Sequence, residues 1–472
     1  MFCAQFVFRR NYIMSYPDFE KKQNATEVIP GFITADDALS VTTQADVDRA
    51  RELQLKHNNQ YRTAAALAIG AGDVAVKAEG AYWWDINGVK HLDFIGSVGP
   101  GLLGLNNPFV VEKVKKYLDA HLVTMDPLML HQTTAAFSHN MSLITPYLPR
   151  TVICCGGAEA NETLLKMVRL ASYRTKKGRT RMLSTINAFH GKTQATVNLG
   201  GKDKWRQWQG PALPGYTHIP YGDWKAAEEE MKKGDVIAFF CEPIQGEGGI
   251  NVPPEDYLPK MRELCTKYDV YFCLDEVQAG SCRTGYLWAH QYYGEKARPD
   301  ALTFAKAMSD SLVPVGGVLA SEELYMAAYG NDETAFFHTA TYQDNQISGI
   351  TALACLEFMI EADVPGTIRK NAPYFWDGLN KLKEKYPQVI KDVRGRGYMI
   401  GIEYGQNSKG DYYTVEVCKH MSVESHVCTM FTINNDAVCR IYPNYWATTE
   451  DFDWALDALD KACAYVLETM GE

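Results

Sequence analysis

No apolar run in this chain approaches the roughly 18 uninterrupted residues that a membrane-crossing helix requires, which argues against membrane-spanning helices. Positive charge is also in short supply. The 47 Lys and Arg stand against 57 Asp and Glu, a formal charge of -10, so the clustered basic footprint of a nucleic-acid binder is missing. Twelve cysteines occur without one C-x-x-C pair, which removes the usual zinc and thiol-exchange spacings. Cys154, Cys155, Cys241 and Cys273 lie inside apolar, strand-like runs and read as buried free thiols of a reducing compartment, so a cytoplasmic location is expected. There is no internal repeat and no low-complexity tract. The opening stretch MFCAQFVFRRNYIM is too broken for a signal sequence and too poor in serine for a transit peptide, and Met14 is an equally acceptable start.

What remains is an ordinary globular composition, 46% hydrophobic and 22% charged, on 472 residues. That length suits two or three structural units around one centre. We expect an irregular N-terminal arm over 1–42, the first part of a small domain over 43–98, a large domain over 99–345, and the rest of the small domain over 346–472. Thr43 with Asp46 makes a capping-box start to a helix ending before Asn58. Asn87-Gly88 is the turn of a hairpin. From about residue 150 the short apolar runs TVICC, RMLSTI, VIAFFC, VYFCL, ALTFA and VGGVLA alternate with helical-period segments, the pattern of a mainly parallel sheet covered on both faces.

In such a sheet ligands bind beyond the carboxyl ends of the strands. Here GGAEANE, NAFHGKT, EPIQGEGG, DEVQ and KAMSD each follow directly after an apolar run. A strand ending on Asp275 and Glu276 fits two chemistries: the acid of a nucleotide-hydrolysing magnesium site, or the partner of a protonated ring nitrogen in an organic cofactor. The first needs G-x-x-x-x-G-K-[ST], and HGKT at 190–193 has Ile186 where the first glycine belongs. The second needs a phosphate cradle, a ring-nitrogen partner, cover for the ring faces and an amine. Gly156 and Gly157 open a helix whose free N–H groups and dipole favour phosphate. Asp275 suits the ring nitrogen, Val277 one ring face, Phe189 or His190 the other, and Gln278 the ring hydroxyl. Lys306 ends a strand with an amine able to form a Schiff base. Taken singly, each is more often a turn, a core histidine or a surface lysine. Together and in this order they make a site.

At these residues the chain resembles the class III, or ω-amino-acid, pyridoxal-phosphate aminotransferases of fold type I. The resemblance runs from about residue 70 to the C-terminus through GGAEANETLLKMVR, AFHGKT, EPIQGEGG, LDEVQAGSCRTG, PDALTFAKAMS, TATYQDN and RGRGYMIGIE. LPGYTHIPYG, FFHTATY and NNDAVCRIYP look closest to the putrescine and diamine branch. The resemblance implies an α/β fold with a mainly parallel seven-stranded sheet plus a smaller α+β domain, pyridoxal 5'-phosphate as cofactor, and a homodimer sharing its active sites. It also implies Lys306 as the Schiff-base lysine, Gly157 and Ala158 at the phosphate, Asp275 on the ring nitrogen, Gln278 on the ring oxygen, and Thr341 reaching the partner's phosphate. Glu247 and Arg440 would pair over the substrate carboxylate site, with Lys192 where a second anchoring arginine is common. The glycine-rich stretch usual after the lysine reads MSDSLVPVGG here. The expected activity is ping-pong transfer of an amino group from an ω-amine, diamine or β/γ-amino acid to 2-oxoglutarate or pyruvate. The alternatives are an amino-acid racemase or epimerase on the same scaffold, and a catalytically silent cofactor-binding scaffold.

Overall fold

The computed structural model describes residues 25–470 except 127 and 177. Met14 and the residues before it lie outside the described part. The segment expected to be an irregular arm contains two short helices, α1 (Ala25–Val28) and α2 (Ala35–Leu39), the second closed by a capping box between Thr34 and Asp37. α3 (Gln44–His57) starts on the Thr43–Asp46 box and is followed by α4 (Gln60–Ala68). β1 (Lys77–Glu79), β2 (Tyr82–Trp84) and β3 (Lys90–Asp93) form an antiparallel meander, turning between β2 and β3 at Gly88 with φ of 78°. α5 (Pro108–Asp119) and α6 (Gln132–Ile144) lead into the large sheet.

That sheet holds β4 (Arg150–Cys154), β5 (Arg181–Thr185), β6 (Tyr216–Ile219), β7 (Val236–Cys241), β8 (Tyr271–Asp275), β9 (Ala301–Phe304) and β10 (Gly316–Ala320). Their spatial order is β4-β10-β9-β8-β7-β5-β6. The strands run parallel except β10, which is antiparallel to both β4 and β9. Side chains alternate between two cores. Phe239, Phe272, Phe304 and Leu319 fill one face; Ile237, Phe240, Cys273 and Val318 fill the other. Burial on both faces is why these strands read as unbroken apolar runs.

The C-terminal part adds β11 (Ile390–Arg396), β12 (Met399–Tyr404), β13 (Val427–Cys428), β14 (Met430–Phe431) and β15 (Val438–Ile441). β13 pairs in parallel with β3, so a strand from beyond residue 420 completes the N-terminal sheet. One hydrophobic cluster joins Leu92, Phe94 and Leu102 to Phe375, Ile400 and Phe452.

Candidate active site

Because β4, β5, β7, β8 and β9 share one direction, their carboxyl ends meet at one edge of the sheet. A cavity of about 630 Å³ lies there, with Ala158, Phe189, Glu247, Asp275 and Lys306 each coming from a different strand end. Gly156, Gly157, His190, Lys192, Val277 and Gln278 line it as well. Thr341 does not line it and is exposed in the single chain.

α7 (Gly157–Thr175) begins at the cavity, and no side chain caps its first turn. Its leading N–H groups therefore face the cavity with the positive end of a 19-residue helix behind them. Glycine is required around this end. A Cβ on Gly157 would fall 2.8 Å from Val277 Cγ1, and one on Gly316, at the start of the reversed strand β10, would fall 2.5 Å from the Gly156 backbone. At Gly156 itself a Cβ would meet nothing within 4 Å, which leaves open space beside the helix end.

The Asp275 carboxylate ends β8 and is held from several directions. His190 Nδ1 lies 2.7 Å and Asn161 Nδ2 2.8 Å from its Oδ2, while the Val277 N–H donates to Oδ1 at 3.0 Å. Asn161 also donates to the His190 carbonyl and accepts from Thr303. Burial works to lower the His190 pKa, but the hydrogen bond and charge of Asp275 outweigh it and raise the net value. Of the two candidates for the second ring face, His190 is thus turned onto Asp275, and Phe189 is the one left to cover a ring.

Lys306 adopts φ of 47°, a left-handed conformation, in the turn after β9. Its Nζ makes no hydrogen bond or ion pair among the described residues, and it would lie 3.6 Å from a Cβ placed on Gly99. Burial pushes its pKa down to about 8, although the Glu247 carboxylate favours its charged form. Arg440 on β15 grips Glu247 with two parallel bonds, 2.5 Å from Nη1 and 2.6 Å from Nη2. Burial works to raise the Glu247 pKa; Arg440 overcomes this and holds it at about 2. Gln278 donates to Glu247 at 3.2 Å and accepts from the Tyr442 hydroxyl at 2.8 Å. Lys192 lies at the rim with its Nζ 4.3 Å from the Trp205 ring centroid.

Four site residues escaped the sequence reading. Asn161 and Tyr442 lie inside GGAEANE and NNDAVCRIYP, but nothing in either stretch singles them out. Glu242, first residue of EPIQGEGG, had the strand-end signal and was passed over. Its carboxylate accepts from Gly246 N and Phe189 N, and burial lifts its pKa to about 7. Arg283 is fully buried and ties Gly99 and Pro443 together through their carbonyls.

The set fits pyridoxal phosphate: an uncapped helix end with glycine-made space for the phosphate, an oriented carboxylate for a ring nitrogen, apolar side chains for ring faces, and a half-buried amine unpartnered among the described residues. Residues 70–463 match the family Aminotransferase class-III. An uncharacterized aminotransferase of Schizosaccharomyces pombe is 42% identical over 427 residues, 89% of this chain and 87% of that protein. The solved ornithine aminotransferase of Toxoplasma gondii superposes with a TM-score of 0.81 at 27% identity, over 95% of this chain and 100% of that one. A thermostable (S)-enantioselective omega-transaminase of Thermomicrobium roseum gives a TM-score of 0.81 at 24% identity, over 90% of this chain and 100% of that one, a likeness of fold.

Proposed function

Because the chain belongs to the class III aminotransferases, which use pyridoxal 5'-phosphate, we propose that it takes an amino group from an ω-amine, a diamine or a β/γ-amino acid and passes it to 2-oxoglutarate or pyruvate. The two half-reactions use one site in turn. The observation that carries this reading is the half-buried Lys306 amine, unpartnered among the described residues, in the same cavity as the oriented Asp275 carboxylate. When bound, pyridoxal phosphate supplies an aldehyde that takes up amines and a cationic ring that accepts electrons from the donor carbon.

The chain's own residues divide the remaining work. The start of α7, at Gly156, Gly157 and Ala158, binds the phosphate. Asp275, fixed by His190 and Asn161, keeps the ring nitrogen protonated. Val277 and Phe189 hold the ring faces, and Gln278 reaches the ring hydroxyl. Lys306 moves a proton to and from the reacting carbon, which requires its neutral form; a pKa near 8 makes that form accessible close to neutral pH. Glu247 covers Arg440 while an amine without a nearby carboxylate is in place. It then yields Arg440 to the keto acid's carboxylate, with Lys192 at the rim as a weaker, unforked second anchor. Thr341, exposed on the single chain, serves the phosphate of a second subunit in a cytoplasmic homodimer.

The test is cofactor absorbance in separated half-reactions. An amine alone should bleach the aldehyde band in one turnover, and 2-oxoglutarate or pyruvate should restore it. Inversion of an amino acid at its carbon with no keto acid present would instead indicate racemisation.

A further inference from the structure

A second, smaller cavity of about 290 Å³ adjoins the first, and Ser311 and Leu312 line both. Asp310, Asn106, Asn107 and Val110 complete the part of its wall that matters here. Asp310 is only 4% exposed. One carboxylate oxygen accepts the Leu103 N–H at 2.9 Å; the other accepts nothing among the described residues, and no ion pair forms.

This acid is costly to keep. Asp310 has φ of 48° and Ser311 φ of 65°, in the stretch where the resembling family is rich in glycine. Non-glycine side chains seldom adopt that left-handed region, and a buried carboxylate with a free oxygen adds a desolvation cost. Capping Leu103 does not require a charge, since an amide or hydroxyl would do it. Nearby charges do not satisfy it either. Arg283 is the guanidinium acting on both Asp93 and Asp310, yet its N–H groups donate to the carbonyls of Pro443 and Gly99. Two buried carboxylates thus share one cation that bonds to neither, and burial holds the Asp310 pKa well above and the Asp93 pKa at about 6. The apolar walls at Leu312 and Val110 suit methylenes.

We propose that this side cavity receives the distal ammonium of an α,ω-diamine donor, with the Asp310 carboxylate as its counter-ion and Leu312 along its chain. The assignment rests on the aminotransferase reading of the main cavity. It complements the covering of Arg440 by Glu247, which already disfavours donors carrying a carboxylate at the reacting end.

The experiment compares 1,4-diaminobutane and 1,6-diaminohexane with butylamine, hexylamine and mono-N-acetylated diamines as donors to the cofactor-loaded protein. The proposal expects kcat/KM for a diamine at least tenfold above that for its monoamine and N-acetyl counterparts. Asp310→Asn and Asp310→Gly should each lower that ratio at least tenfold; the glycine variant relieves the left-handed strain and protects against a folding failure. Calorimetric binding of the same amines to Lys306→Ala protein gives a readout without turnover, and there the diamine Kd should rise at least tenfold on adding either substitution. Ratios and Kd values within twofold of the parent in both variants would overturn the site. If no amine of any kind reacts, the aminotransferase reading fails, and the binding comparison still decides whether Asp310 recognises the tail.

Discussion

Lys306 combines a left-handed backbone, a half-buried position and an amine that makes no hydrogen bond or ion pair among the described residues, and each property bears on its chemistry. Burial disfavours the ammonium form, so the amine is deprotonated at a lower pH than a surface lysine. In the cofactor-free protein, Lys306 should therefore react with a small aldehyde at neutral pH ahead of other lysines. Its rate should climb with pH and level off above about 8. Mass spectrometry of borohydride-trapped adducts checks this, and a rate still rising at pH 10 would contradict it. Lys306 and Asp275 were legible because each closes an apolar run. His190 was legible as a site residue, but its direction was not: only the fold places its ring against Asp275. Asp310 was less legible still, since the cost of an aspartate depends on a left-handed backbone that no composition reveals.

Among the strands, six of the seven in the large sheet could be read from apolar runs. β6, Tyr216–Ile219, could not. It is a short edge strand with half-buried residues, so its sequence lacks the continuous apolar stretch of its neighbours. The reversal of β10 was equally invisible, because a strand buried on both faces looks the same in either direction. The loop after β7 carries two acids with opposite titration behaviour. Glu242 has its folded pKa raised from the ordinary 4.5 to about 7, so its contribution to stability is complete below about 4.5 and is lost as pH rises through 7. Glu242→Gln should consequently gain stability relative to the parent between pH 5 and pH 8, on the order of 1–3 kcal/mol. Melting temperatures of the cofactor-free proteins across that range measure it; a difference that shrinks toward pH 8 would refute the assignment.

Glu247, in the same loop, depends on β15 for its partner. Arg440→Ala should raise the keto-acid KM and cost about 2–4 kcal/mol in that half-reaction, with much less effect on the amine half. It also strands a buried carboxylate, so Glu247→Gln in the Arg440→Ala background should recover stability without recovering keto-acid affinity. Stopped-flow measurement of the separate half-reactions gives the answer. Equal losses in both halves would remove the exchange of partners at Arg440.

For the whole molecule, the proposed homodimer can be set against the surface of the single chain. Leu128, Leu130 and Phe336 are 95%, 97% and 82% exposed. The strips that contain them are tied together by Gln346, which bonds to Val123 and Thr124. In the proposed homodimer, exposed apolar residues of this kind would be covered by the partner. Thr341 lies between Phe336 and Gln346, so the same face would deliver it to the partner's phosphate. Mixing Lys306→Ala protein with an inactive Thr341→Ala protein should then restore activity toward about a quarter of the parent, since half of reassorted dimers are hybrids with one intact site. Absence of recovery after proven subunit exchange would argue against a shared site.

The grip of Arg440 on Glu247 spans 193 positions, and the bond from Tyr442 to Gln278 spans 164. A ribosome emitting this chain therefore completes the seven-stranded sheet and the lysine turn long before the clamp appears. In that interval Glu247 lacks the guanidinium of Arg440, its hydrogen-bonded counter-charge. Nascent chains halted before residue 438 should accordingly be more prone to protease cleavage around residues 242–250 than the finished protein. The clamp between Glu247 and Arg440 is thus a late acquisition of the polypeptide during its synthesis.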